Sequence, residues 1–253
     1  MSQAANPVRI VVTGGYGFYG RHLLPALKEQ LPNCLIFVLD IIPPTAVGPE
    51  LTSHVTQSFT VDITSADEVR QAVSWINPDA IVHTAGINPP LSERYHRRIE
   101  KQVKSVNVGG TKNLLNAAVE SGCKAFIYTS SCCVVTDNLR GYFANIDERW
   151  ISSSKLLVYG ESKSEAEQAV LTADSEEMAT CVLRPSVTCG EGDYILIPSV
   201  HACIAKGETP FRLGDGMNLW DVVYVGNVAY AHALAVQNLL STRSAHGEAM
   251  VSP

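Results

Sequence analysis

Short runs of aliphatic and β-branched residues recur along the chain, most of them closed by glycine, aspartate, serine or proline. They are Val8–Thr13, Cys34–Asp40, Ser58–Asp62, Ala80–Gly86, Ala125–Ser131 and Thr180–Pro185. Each is nearly continuously apolar rather than alternating, which is the pattern of strands buried on both faces of a parallel sheet. Between them, apolar positions recur at helical spacing over Gly17–Gln30, Ala66–Ile76, roughly Val103–Ser121, and Tyr159–Leu171. Strand and helix alternate up to Pro185. That order predicts a doubly wound α/β fold with right-handed crossovers. Beyond Pro185 the alternation breaks. "SVTCGEGDYILIPS" predicts a loop leading into a helix near Leu196–Lys206, and a short strand near Asp221–Tyr224 precedes a helix over "GNVAYAHALAVQNLL". No element is assigned to the closing "SAHGEAMVSP".

Composition narrows the function classes. The 253 residues carry a net charge of −6 with no run of Lys and Arg, so no nucleic-acid partner is expected. No stretch approaches the ~20 apolar residues of a membrane span. The start, "MSQAANPVRI", has neither the basic nor the apolar part of a signal peptide. The expected location is the cytoplasm or a membrane surface facing it. Seven scattered cysteines without a C-x-x-C pair read as reduced thiols. The seven histidines show no H-x-x-x-H spacing, and no metal site is expected.

The first run ends in "VVTGGYGFYGRHLLPAL", with Gly14, Gly15, Gly17 and Gly20 spaced as G-x-G-x-x-G from Gly15. Such glycines permit a tight turn, a close approach of backbone to a pyrophosphate, and an anion at a helix N-terminus. Alone, the pattern fits an ordinary glycine-rich turn equally well. Here it follows a predicted strand, opens a predicted helix, and precedes Asp40 at the end of the next strand. That combination predicts dinucleotide binding through Gly14, Gly17, Phe18 and Gly20. Asp40 can accept from ribose hydroxyls and would repel a 2′-phosphate, which favours NAD over NADP. Asp62, ending the third run, and Ile63, which follows it, are candidates for the adenine end; a solvated turn aspartate is the alternative for Asp62.

In "LLVYGESKSEAEQAV", Tyr159 and Lys163 lie about one helical turn apart and share a face. A lysine ammonium beside a phenol favours the phenolate and suits the tyrosine to act as a base. Taken alone, the pair is more often a packed Tyr and a solvated Lys. "YTSS" (Tyr128–Ser131) changes that balance, because it ends a strand at the carboxyl edge where such sheets bind ligands.

Together these motifs resemble extended short-chain dehydrogenases. "SVNVGGTKNLLNAAVESGCKAFIYTSS", "NIDERW", "ESKSEAEQAVL", "RPSVTCGEGD" and "GDGMNLWDVVYVGNVAYAHALA" are similar to the 3β-hydroxysteroid dehydrogenase family, nearest to its fungal sterol-4α-carboxylate 3-dehydrogenase (decarboxylating) branch. The likeness spans about residues 8–240. It implies Tyr159 as general base, with Lys163 as its partner and a ligand of the nicotinamide ribose. It implies Ser131 beside the substrate oxygen, more than Ser130, and Asn107 ordering the site. Thr84, Ala85 and Gly86 would lie along the cofactor, Pro185 and Val187 would meet the nicotinamide, and Arg184 would anchor structure. The implied organisation is an NAD-binding domain over 1–185 and a partial substrate lobe over 186–253, with 221–240 packing back on the first domain.

The implied reaction is oxidation of a secondary 3β-type hydroxyl on a steroid, sterol or terpenoid, including fungal meroterpenoids. Decarboxylation or a double-bond shift could follow. Tyr194, Ile195, Leu196, Ile197, Phe211, Leu213 and Trp220 are candidate walls for a bulky apolar substrate, with packing inside the small lobe the alternative for each. Relatives run longer, which implies an incomplete substrate lobe. Fold analogy adds a homodimer through the helices around Val103–Ser121 and Tyr159–Leu171 as an expectation, and the family resemblance adds a peripheral contact with the endoplasmic reticulum membrane. Two other functions stay open at this point: a reductase or epimerase on another substrate, and a non-catalytic NAD-binding protein.

Overall fold

A computed structural model describes residues 6–90, 93, 96–136, 143, 145–150, 157–212, 214–217 and 219–252. Leu213 and the start of the "LLVYG" stretch lie outside the described residues.

Seven parallel strands form the main sheet: β1 (Arg9–Thr13), β2 (Leu35–Asp40), β3 (Gln57–Thr60), β4 (Ala80–His83), β5 (Ala125–Thr129), β6 (Ala179–Pro185) and, late in the chain, β9 (Glu248–Ser252). Their spatial order is β3-β2-β1-β4-β5-β6-β9. A separate parallel pair joins β7 (Val187–Cys189) to β8 (Val222–Tyr224). The order reverses between β1 and β4, and a cleft opens at their carboxyl ends, the usual ligand position in such sheets.

Alternation along each strand divides the core. Val11, Phe37, Ile81, Phe126 and Val182 face α2 (Ala66–Ile76), α3 and α4 (Val158–Thr172). Here α3 denotes Glu100–Lys104, a π-helical turn at Ser105–Gly110, and Thr111–Glu120 taken together. Ile10, Val12, Ile36, Val82 and Ile127 face α1 (Phe18–Gln30) and, near the end of the chain, α6 (Val225–Leu239). The sheet is therefore covered on both sides, which is why its strands lack a polar face. Local signals place the helices. In α2 the Ser65 side chain accepts from the Glu68 amide, and Asn77 closes the helix at φ 48. α6 presents alanines to α1, and its buried face includes Ala229, His232, Ala233 and Val236.

The structure departs from the sequence expectations at four places. The predicted helix over Val103–Ser121 is interrupted by the π-helical turn. A side chain at Gly110 would meet Ile63 Cδ1 at 2.5 Å, so a larger residue there would force Ile63 to shift. Asp62 lies beyond β3 in a turn, and residues 84–86 lie beyond β4. Glu248–Ser252, given no element from sequence, pairs with β6 as the sheet's last strand. Its single strand-length run offered no period to read. The apolar residues around α5 (Leu196–Ala205) are not core: Ile197, Phe211 and Trp220 are 56%, 64% and 68% exposed, and α5 buries none of its residues.

Among the described residues, no helix is long and apolar enough to cross a membrane, and no cluster of His, Cys, Asp or Glu could hold a metal ion.

Candidate active site

The glycine loop is shaped by two close approaches. Gly14 sits at φ +66, and a Cβ there would come within 2.9 Å of the Ala85 backbone. A Cβ on Gly20 would lie 2.3 Å from the Gly14 carbonyl oxygen. Only glycine lets the first turn of α1 sit this tightly on the loop. The N-cap, Gly17, provides no side-chain cap, so the first amides of α1 stay available to an anion. Asp40 closes the loop from β2: one carboxylate oxygen accepts from the Tyr16 amide at 3.0 Å and the other from the Ile42 amide at 2.9 Å.

A cavity of about 360 Å³ opens over the carboxyl ends of β1, β4, β5 and β6. Gly14, Gly17, Phe18, Thr84, Gly86, Ser131, Tyr159, Lys163, Pro185 and Val187 all line it. Tyr19, Cys132, Cys133, Thr188 and Tyr194–Leu196 complete much of the wall. The other candidates stand outside this cavity. Asp40 and Gly20 serve the loop as described. Asp62 faces solvent and accepts from the Thr64 amide and hydroxyl at 2.9 and 2.8 Å. Ile63 is buried against Gly110, and Ala85 backs the glycine loop.

Asn107 is buried behind the cavity and acts as a clasp. Its Oδ1 accepts from the Ile87 amide at 2.7 Å; its Nδ2 donates to the Ile87 carbonyl at 3.0 Å and to Ser162 Oγ at 2.9 Å. Ser162 in turn donates to the Tyr159 carbonyl at 2.7 Å. Asn107 thus ties the loop after β4 to the first turn of α4. The π-helical turn supplies the geometry for this, a recurrent use of such turns.

Lys163 is 5% exposed. Its ammonium donates to the Thr129 carbonyl at 2.8 Å and lies 4.8 Å from the centre of the Tyr128 ring. Burial pulls its pKa down to about 8, against the opposing pull of Glu167. The Tyr159 phenol and Ser131 both line the cavity, and enclosure pushes the phenol's pKa well above the ordinary value, with Cys133 adding to the rise and Ser131 opposing it. The sequence expectation was a phenol pulled down by Lys163. In the folded chain the ammonium is committed to Thr129, and burial dominates.

Ser130 does not share the role of Ser131. Its hydroxyl donates to Glu167 at 2.6 Å, and Glu167 holds Arg184 at 2.6 Å in an ion pair buried to within a few per cent. Arg184 also donates to the Trp150 carbonyl. This cluster braces α4 against β5 and β6 and gives Arg184 a structural place.

Two neutral histidines flank the site. His83 bonds Thr13 Oγ1 at 2.7 Å and Thr111 Oγ1 at 2.9 Å, and burial lowers its pKa to about 3. His232, on α6, bonds Thr129 Oγ1 and the Val228 carbonyl, each at 2.7 Å.

The sequence model of the 3-beta hydroxysteroid dehydrogenase/isomerase family matches residues 11–250. The chain belongs to this family. Its relatives include the decarboxylating sterol-4-alpha-carboxylate 3-dehydrogenase of Candida albicans, 38% identical over 96% of this chain and 68% of that protein. A 3-beta-hydroxysteroid dehydrogenase of Mycolicibacterium neoaurum is 34% identical over 95% of this chain and 64% of its own length. This family member therefore spans about two thirds of those relatives. Among solved structures, the NAD complex of UDP-glucose 4-epimerase from Thermus thermophilus matches with TM-score 0.70 at 25% identity, over 90% of this chain and 74% of that one. The Stenotrophomonas maltophila UDP-glucose 4-epimerase matches with TM-score 0.75 at 20% identity, over 96% and 76%, and shows the shared fold. A nicotinamide cofactor suits both the family and this fold.

Sequence reasoning missed Thr129, which lines the cavity, and His232 and Ser162, which act behind its wall. Thr129 stood inside the quoted "YTSS" and His232 inside "AHALA", but nothing in a linear pattern brings residues 103 positions apart together.

Proposed function

We propose that the protein oxidises a secondary 3β-type hydroxyl of a bulky apolar sterol-like substrate with NAD⁺. The observation that carries this reading is the convergence of Ser131, Tyr159 and Lys163 on one cavity with the glycine loop at its far wall. The residues fit a dinucleotide: a Cβ would fill the cradle at Gly14 and Gly20, and the α1 N-terminus has no side-chain cap. Gly14, Gly17 and Phe18 would hold the pyrophosphate region, Asp40 the adenosine ribose, and Thr84, Gly86, Pro185 and Val187 the nicotinamide half. When bound, the oxidised cofactor supplies the hydride acceptor.

Tyr159 takes the hydroxyl proton of the substrate. Ser131 holds the oxygen as it becomes a carbonyl and stabilises the phenolate. An oxidised nicotinamide ring beside the phenolate would supply the positive charge that offsets its burial, and Lys163, held on the Thr129 carbonyl, would bond the nicotinamide ribose. Asn107 and Ser162 fix the turn that carries Tyr159. Tyr194, Ile195 and Leu196 offer apolar contact to the substrate. If the substrate carries a 4-carboxylate, the product is a β-keto acid, which loses CO₂ with little further help.

NAD is favoured over NADP by Asp40. Its carboxylate is fixed by two backbone amides at the end of β2, and the next two residues are isoleucines rather than a base that could pair with a 2′-phosphate. A panel of 3β-hydroxysteroids, 4α-carboxysterols and terpenoid alcohols, followed by absorbance of reduced cofactor, tests the function. Turnover confined to such alcohols supports it. NAD⁺ binding with no turnover, or turnover only on sugar nucleotides, contradicts it.

A further inference from the structure

The sequence motif ending in "AHALA" has no part in the chemistry described so far, yet its histidine is connected to it. His232 is 1% exposed and belongs to α6, on the opposite face of the sheet from the catalytic helix α4. The connection runs through one residue of β5. Thr129 points its side chain toward α6, in step with Ala125 and Ile127, while Tyr128 points toward α4. The carbonyl of Thr129 accepts from Lys163 at 2.8 Å, and its hydroxyl meets His232 Nε2 at 2.7 Å.

The direction of these bonds follows from chemistry. His232 Nδ1 lies 2.7 Å from the Val228 carbonyl, which can only accept, so Nδ1 carries the proton. The bare Nε2 then accepts from the Thr129 hydroxyl. Val228 is one turn earlier on the same helix, so the ring is fixed to its own backbone before it reaches the strand. Thr129 is thereby gripped from both faces immediately before Ser130 and Ser131.

Resting on the dehydrogenase reading above, we propose that His232 is a positioning residue. As a neutral acceptor it fixes Thr129, and through Thr129 it sets the place of the Lys163 ammonium and of Ser131. Packing alone does not require this. An aliphatic residue would fill the space against α1 and β5 but would leave the Thr129 hydroxyl buried without an acceptor, and the strand end would turn to satisfy it. The titratable groups facing Lys163 are Glu167 on its own helix, Tyr128 on β5, Cys133 after β5, and His83 on β4. His232 acts on Lys163 only through the Thr129 carbonyl, so its removal weakens a bond to the charged form and lowers the Lys163 pKa.

The test compares His232→Leu, His232→Gln, Thr129→Val and the Thr129→Val/His232→Leu double variant in the full chain. Competitive acetylation of Lys163 across pH, read by peptide mass spectrometry, gives its ionisation without needing turnover. The wild-type midpoint is expected near 8. His232→Leu is expected to move it down by ~0.5 unit or more, with Gln restoring most of the shift because its amide can both accept and donate. Turnover should fall ~10-fold in His232→Leu and no further in the double variant, because both changes remove one interaction. An unshifted Lys163 midpoint in a folded His232→Leu protein overturns the proposal, as does a Gln variant as impaired as Leu. Should Leu fail to fold, the Gln and Thr129→Val proteins decide by the same midpoint. Absence of turnover in the wild type counts against the dehydrogenase reading, while the acetylation midpoints still judge the positioning role.

Discussion

Tyr159 and Lys163 show how little a residue pair means until its surroundings are known. Their four-residue spacing was legible, and so was Ser131 in "YTSS". What the sequence did not show is that burial works against the phenol, raising Tyr159 while lowering Lys163 to about 8. Those shifts depend on the solvent each side chain loses, which the linear pattern does not encode. The Glu167–Arg184 pair belongs to the same scale. Sequence suggested an anchoring role for Arg184 but gave no partner, because Glu167 looks like any helical glutamate. Replacing Glu167 by Gln would leave a guanidinium buried without its counter-ion. The expected cost is ~3–5 kcal/mol in urea unfolding, well above that of an exposed ion pair. Asp40 is expected to act on cofactor choice as well as on the loop that its carboxylate closes. Asp40→Ala should shift the NAD⁺/NADP⁺ preference of binding by ~10-fold toward NADP⁺, equivalent to ~1.4 kcal/mol, as read by titration with each cofactor.

Strands and helices of the sheet were legible because their hydrophobic pattern is strong and covers both faces. α2 matches its predicted span, Ala66–Ile76, where a serine cap and a left-handed asparagine punctuate the helix. The π-helical turn in α3 was not legible, since the residues it packs against, such as Ile63 at Gly110, come from a distant turn. β9 was not legible either, because a five-residue run gains meaning only from pairing with β6. The glycine loop gives the sharpest prediction for an element. Gly20→Ala places a methyl group 2.3 Å from the Gly14 carbonyl, so the loop and the first turn of α1 must separate. NAD⁺ binding, followed by fluorescence titration, is expected to weaken by ~10-fold or more while the far-ultraviolet circular dichroism stays native.

For the whole molecule, His83 and His232 give stability a pH dependence. Both are buried and neutral, with pKa values lowered from 6.5 to about 3 and about 4. The unfolded chain binds protons below about pH 6.5 that the folded chain refuses. Their contribution is therefore complete above that pH and is lost as pH falls toward the folded values. Each histidine should add a slope of ~1.4 kcal/mol per pH unit within that window. Urea unfolding at several pH values, with Thr13→Val/His83→Phe as a comparison, should show a shallower acid slope in the variant. The seven-stranded sheet holds the cavity at its carboxyl edge, while α5 and the segment after it leave apolar side chains in contact with solvent.

The central claim is that this cavity performs alcohol oxidation with Tyr159 as the proton acceptor. The most direct measurement is the initial rate of NAD⁺ reduction on a 3β-hydroxysterol, taken for the wild type and for Tyr159→Phe at matched NAD⁺ occupancy. The account predicts turnover by the wild type and a ~100- to 10,000-fold loss in the variant with NAD⁺ binding retained. Equal rates in the two proteins would contradict it.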